Sequence, residues 1–268
     1  MILEYTFFQN ALLGSLLASI ACGFVGTYVV SRRLVFISGG ITHASFGGIG
    51  LGVYFGLNPI LSAMAFAVAS ACGVQWLADR GRVRQDSAIA MFWTFGMSLG
   101  IIFSFMTPGF MTDLSSYLFG SILAIGHTDL WLLGAVAAIV VLVFSLFMRT
   151  IVCTAFDPVF ARSLRLPVAA VEYVMMALTA MTIVATLRLV GIVLAMSLLT
   201  IPQLTANLFT YRFANMSLLS IVFGLVYCVA GLVVSYWLNV PSGASIIFVS
   251  IVIYMSLKTI KTAVRKFR

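Results

Sequence analysis

Long apolar runs, broken by short polar punctuation, recur along the whole 268-residue chain. They predict about nine helical spans, at 7–30, 41–57, 60–78, 87–107, 130–148, 169–187, 189–209, 216–238 and 244–258. Each is long enough to cross, or nearly cross, a hydrocarbon core of ~30 Å. Turn signals stand at Asn58-Pro59, Thr107-Pro108-Gly109 and Asn239-Val240-Pro241-Ser242-Gly243. No clear turn parts 169–187 from 189–209, so eight spans is the alternative count.

Composition agrees with that pattern. Hydrophobic residues make up 62% of the chain and charged residues 8%, whereas a soluble domain carries roughly a quarter charged residues. The expected fold is an all-α, polytopic transmembrane bundle of eight or nine spans, forming one domain over residues 1–268. The net charge of +8 does not point to nucleic acid, because the basic residues sit in small clusters between apolar runs. If Arg32 and Arg33 are cytoplasmic, then Arg80, Arg82, Arg84, Arg149, Arg162, Arg165, Arg212 and the basic tail fall on the same side. Only Arg188 lands outside. This asymmetry predicts an outer N-terminus and a cytoplasmic C-terminus.

Two segments are too polar to be ordinary spans. Met111 to Asp129 is expected on the outer side as short helices, with re-entry into the bilayer an open alternative. Cys153 to Val168 is expected inside. There Asp157 can cap a short helix with Pro158 in its first turn. Phe156, Phe160 and Leu164 recur at four-residue spacing and give it one apolar face, while Arg162 and Arg165 are free to point elsewhere. Such a helix either lies on the lipid or docks a cytoplasmic partner.

Several chemistries are excluded by what is missing. No lysine precedes Lys258, so the body of the chain has no GxxxxGK[ST] phosphate loop. HExxH is also absent, no Ser-His-Asp order is read around a GxSxG elbow, and nothing positions Ser121 as a nucleophile. No arginine ladder fit for voltage sensing runs through a span. Cys22, Cys72, Cys153 and Cys228 are dispersed through apolar sequence and read as packing residues. Glu4, Asp79, Asp86, Asp113, Asp129 and Asp157 fall in loops or at span ends, and Glu172 reads as an interfacial anchor one turn into its span.

Two polar features remain within spans. On a helix, Gly39, His43, Gly47 and Gly50 share a face, and Gly40, Ala44 and Gly48 form an adjoining small-residue row suited to close helix contact. His43 is either an interhelical hydrogen-bonding group or a ligand on a substrate path, since neutral imidazole suits Zn²⁺, Fe²⁺ or Mn²⁺. The second feature is Ser197 to Leu208. Pro202 there frees a carbonyl near Leu198, and Thr200, Gln203 and Asn207 form a polar stripe. That segment is either a cavity lining or a kink satisfied by its neighbours.

Taken in order, six segments resemble the permease subunits of ABC importers for zinc, manganese and iron, the ABC-3 family. GTYVVSRRLVFISGGITHASFGGIGLG resembles its first loop and second helix, with the GDxxSHAxLxG pattern. RQDSAIAMFWTFGMSLG, DLSSYLFGSILAI, FDPVFARSLRLPV, LVGIVLAMSLLTIPQLTA and LNVPSGASIIF resemble its later elements. The resemblance implies a fold of the type II (vitamin B12/metal) importer class. It makes Asp157 to Leu166, with Pro158, Phe160, Ala161, Arg162 and Leu164, the helix that docks on a separate cytoplasmic ATPase. It implies a second permease subunit, identical or related, and an extracytoplasmic metal-binding protein, in a bacterial inner membrane. The divalent metal ion would be the transported substrate, ATP would be used by the partner, and no cofactor is bound covalently. His43, Thr200, Gln203 and Asn207 become candidates for the ion path. Two positions depart from the pattern: Gly39 stands where an aspartate is usual, and Gln203 replaces an alanine. A carrier or channel working without an ATPase is the rival reading.

Overall fold

The computed structural model describes residues 6–81, 83–107 and 126–266. The expectations for Glu4, Arg82, Asp113, Ser121, the turn at Pro108-Gly109, the outer segment 111–125 and the Arg188 side chain lie outside the described residues. Among the described residues there are ten helices and no strand: α1 (Thr6–Ser31), α2 (Val35–Tyr54), α3 (Pro59–Arg80), α4 (Gln85–Met106), α5 (His127–Phe156), α6 (Pro158–Ser163), α7 (Val168–Leu198), α8 (Ile201–Phe209), α9 (Phe213–Leu238) and α10 (Ser242–Lys266).

Local chemistry sets the boundaries. Asn58 accepts from the amides of Ile60 and Leu61 at 3.0 and 3.4 Å, and Pro59 opens α3 where no intrahelical donor is needed. Asn239 ends α9 in the left-handed region, at φ 52°. Arg33 (φ 58°) lies in the tight turn after α1, so α2 begins at Val35, six residues ahead of the expected start at 41. His127 to Asp129, expected in the outer polar segment, instead form the first turn of α5. The Asp129 carboxylate accepts from the Gly126 amide there, 3.3 Å away.

Among the described residues, eight helical segments are long and apolar enough to cross a membrane. α2 falls outside that set because six glycines and His43 dilute its 20 residues, yet it is buried along most of its length between α3, α4 and α7. The ambiguous pair of runs is resolved at Gly191, whose φ of 73° and ψ of 174° break α7. Glu172 pairs with Arg32 at one end of the bundle. The chain returns to that end by Leu208, whose carbonyl accepts from Lys261.

α7 packs against α2 and α3 and also against α1, α5 and α10, while α4 closes on α2 to complete a first group and α9 closes on α1 to complete a second. Small residues allow the first group to close. A Cβ on Gly96 would lie 2.5 Å from the Ala44 Cα, one on Gly100 2.7 Å from the Phe46 carbonyl, and one on Gly48 2.5 Å from the Ser62 carbonyl. Backbone meets backbone, the contact that drives helix association when apolar surface is equally welcome in lipid. Elsewhere the outer surface is apolar, with Phe105, Trp131 and Trp237 strongly exposed at the end away from Arg32. That is where interfacial aromatics belong.

Candidate translocation site

His43 lies near the middle of α2, half-buried. Its ring stacks on the Trp93 indole of α4, with centroids 4.5 Å apart and planes 6° from parallel. Phe46 lies farther off, at 6.4 Å. The Trp93 Nε1–H donates to the Met97 sulfur at 3.2 Å. One turn before His43, a Cβ on Gly39 would lie 3.1 Å from Met196 Cε, 3.7 Å from its sulfur and 3.8 Å from the Trp93 ring. Trp93 thus touches both His43 and Met97, while Met196 of α7 and the Trp93 ring flank Gly39 one turn away. The His43 Nδ1 is buried there without a hydrogen-bond partner among the described residues. Among those residues, no group of three His, Cys, Asp or Glu side chains is placed to hold an ion.

The polar stripe of the Pro202 segment is not brought to this spot as a unit. Gln203 is fully buried against α1, and its Nε2 donates to the carbonyls of Cys22 at 2.7 Å and Leu198 at 3.1 Å. The Leu198 carbonyl is the one the proline frees, so Gln203 repairs the break. Thr200 turns back on its own helix, donating to Met196 O at 2.9 Å. Asn207 is exposed. In the small-residue row Gly40 abuts Ile89 of α4 and Gly48 sits on α3, while Gly47 on the His43 face meets the Gly96 carbonyl and Phe66.

At the Arg32 end lies a cluster that sequence reasoning missed. Arg32 donates to Glu172 at 2.6 Å and to the Thr154 carbonyl at 3.4 Å. Gln75 donates to the other Glu172 oxygen at 3.2 Å and to both Asp79 oxygens at 3.1 and 3.2 Å. Glu172 is only 6% exposed, so the expected interfacial anchor is instead the centre of a network joining α1, α3, α5 and α7. The available signal was Gln75 and Asp79 at i, i+4 near a span end, a spacing that puts two polar groups on one face.

Beside this network stands α6. The Asp157 carboxylate caps it by accepting from the Phe160 amide at 2.8 Å. Ala161 is buried, while Phe156, Val159, Phe160 and Leu164 are all more than half exposed. Arg162 and Arg165 are exposed too. Trp93, Met97 and Met196 were also missed, since a methionine or an aromatic in a span ordinarily reads as packing.

The described residues form a bundle of membrane-crossing helices with a half-buried histidine in the middle of one helix and a charged network at one basic end, the architecture of a membrane permease. The chain belongs to the ABC 3 transport family, which it matches over residues 4–260. It is 39% identical over 253 residues to the uncharacterized membrane protein slr2045 of Synechocystis sp., covering 94% of this chain and 90% of that one. It is 34% identical over 249 residues to the manganese transport system membrane protein MntC of Halalkalibacterium halodurans, covering 93% and 85%. Its fold matches the structure of PsaBC from Streptococcus pneumoniae in complex with Fab, with a TM-score of 0.84 and 29% identity over 96% of this chain and 92% of that one. The chain is therefore a multi-pass permease subunit of a metal ABC transport system, and not an enzyme.

Proposed function

We propose that this permease imports a divalent transition-metal ion through a path that includes His43, driven by ATP hydrolysis on a separate chain. The observation that carries the coupling is α6, an Asp157-capped helix at the basic end with its apolar side chains uncovered. A helix that merely lay on lipid would serve no partner. In a family of ABC permeases the same surface suits docking on an ATPase. The basic end is cytoplasmic in this reading, the N-terminus is outside, and the membrane is the bacterial plasma membrane. A second permease subunit completes the path, and an extracytoplasmic binding protein delivers the ion.

Ion movement on this chain needs no bond chemistry. Alternating access exposes the His43 face first to one side and then to the other, and imidazole exchanges for water in the ion's shell. Thr200 and Asn207 are further candidates for the lining, and Gln203 holds the broken helix that would border it.

Purification in mild detergent should recover a stoichiometric nucleotide-binding subunit, and the assembled complex should accumulate metal only with ATP. His43→Ala should abolish uptake while the assembly survives. Uptake by the purified chain alone, driven by an ion gradient, would instead establish an ATPase-independent carrier.

A further inference from the structure

α6, the helix assigned to ATPase docking, is a compact piece on two stems. The Asp157 carboxylate caps its start, and the Leu166 amide returns to the Ala161 carbonyl at 3.1 Å through a left-handed Arg165, φ 57°. Ala161 is buried, while Val159, Phe160 and Leu164 are exposed. A load on that exposed face reaches the bundle through the stems, α5 before it and α7 after it.

One side chain holds both stems. Arg32, in the turn after α1, donates from Nη1 to the Thr154 carbonyl at 3.4 Å and from Nη2 to Glu172 at 2.6 Å. Thr154 lies in the last turn of α5, where helix carbonyls lack intrahelical partners and a cation is favoured. Glu172 lies in the second turn of α7. The Arg162 guanidinium of α6 is exposed and acts on Glu172 electrostatically. From Glu172 the connection continues through the buried Gln75 amide, which donates to its second oxygen at 3.2 Å. Gln75 belongs to α3, and α3 packs with α2 and α4.

Stability alone would be served by any cation beside Glu172. A guanidinium adds a rigid fork whose two nitrogens reach two elements at once, which a single ammonium on a flexible stem does not reproduce. The two elements it reaches are the ones that flank α6.

We propose that Arg32 is a positioning residue for energy coupling: it clasps the stems of α6 together, so that displacement of the docking helix moves α5 and α7 as one and passes through Gln75 into α3. The clasp rests on the ATP-driven transport reading above and assigns the element that carries the ATPase's movement into the helices. With the fork gone, the stems separate and the displacement is absorbed between them.

Arg32→Lys keeps the positive charge and the pairing with Glu172 but drops the second grip. Uptake of radiolabelled Mn²⁺ and Zn²⁺ would be measured in cells carrying the assembled transporter. ATP hydrolysis, recovery of the ATPase subunit and the unfolding midpoint would be measured on the complex purified from the same cells. Uptake should fall about tenfold, within the usual range of one coupling interaction, while the other three readouts stay near wild type. Gln75→Asn, whose shorter amide no longer spans from α3 to Glu172, should show the same pattern. Wild-type uptake in Arg32→Lys would overturn the clasp. So would a fall in uptake matched by hydrolysis, by lost ATPase recovery or by a lowered midpoint, each of which marks a structural role. Wild-type cells that accumulate neither metal, or whose uptake survives deletion of the ATPase, would overturn the transport reading and the clasp with it.

Discussion

The two buried polar clusters of this permease are built on opposite principles. At the Arg32 end, the Gln75 amide donates to two carboxylates, and the Glu172 carboxylate accepts from both Arg32 and Gln75. Near the middle of α2, by contrast, neutral groups surround His43, which stacks on Trp93, and its Nδ1 is left without a partner among the described residues. A charge taken out of water is tolerated only when paired and hydrogen-bonded, and the first cluster meets that condition across four helices. An unsatisfied group costs about 1–3 kcal/mol, a cost that a stability-driven core would remove. The first cluster holds the helices together, and the second leaves the His43 Nδ1 unpaired among the described residues.

Substitutions can break this contrast, and they rank by their effect on stability. Glu172→Ala leaves the Arg32 guanidinium without its partner and should lower unfolding stability in detergent by about 3–5 kcal/mol, read by thermal or denaturant unfolding. Glu172→Gln, which keeps hydrogen-bonding atoms, should cost distinctly less. Gly96→Ala forces a methyl to 2.5 Å from the Ala44 Cα. Backbone cannot yield as a side chain can, so about 1–3 kcal/mol is expected, seen as lowered thermal stability. Gln203→Leu leaves the Leu198 carbonyl at the proline break unpaired and should cost about 1–3 kcal/mol on the same measurement. Asp157→Ala removes a helix cap worth about 1 kcal/mol. Its clearer readout is weaker co-purification of the ATPase with the bundle's unfolding midpoint nearly unchanged. His43→Ala should move stability least of all while abolishing uptake. A His43→Ala protein as destabilised as Glu172→Ala would erase the distinction between the clusters.

Spans and punctuation were legible because each depends on residues near one another in the chain. The Asn58-Pro59 start of α3, the Asn239 stop of α9 and the Asp157 cap of α6 appear where local rules put them. The face shared by Gly39 and His43 was legible too, since helical spacing alone defines it. What that face meets was not. Trp93, Met97 and Met196 come from α4 and α7, and in a chain that is 62% hydrophobic nothing marks one methionine from another. Glu172 misled for a related reason. One turn into a span, a carboxylate can equally reach water or turn inward, and only Arg32 and Gln75, 140 and 97 residues away, decide between them.

By itself the sequence determined a membrane bundle, its helix ends, its basic face and, through six ordered motifs, its family. Each of these follows from hydropathy, capping chemistry or charge counted along the chain. Only the tertiary structure decided that Gln203 mends a broken helix, that Glu172 is the hub of a charged lock, and that Met196 fills the space left by Gly39. Those outcomes depend on which helix surfaces come within a few ångströms of each other, and in a bundle where lipid and protein are about equally apolar, small-residue backbone contacts select them.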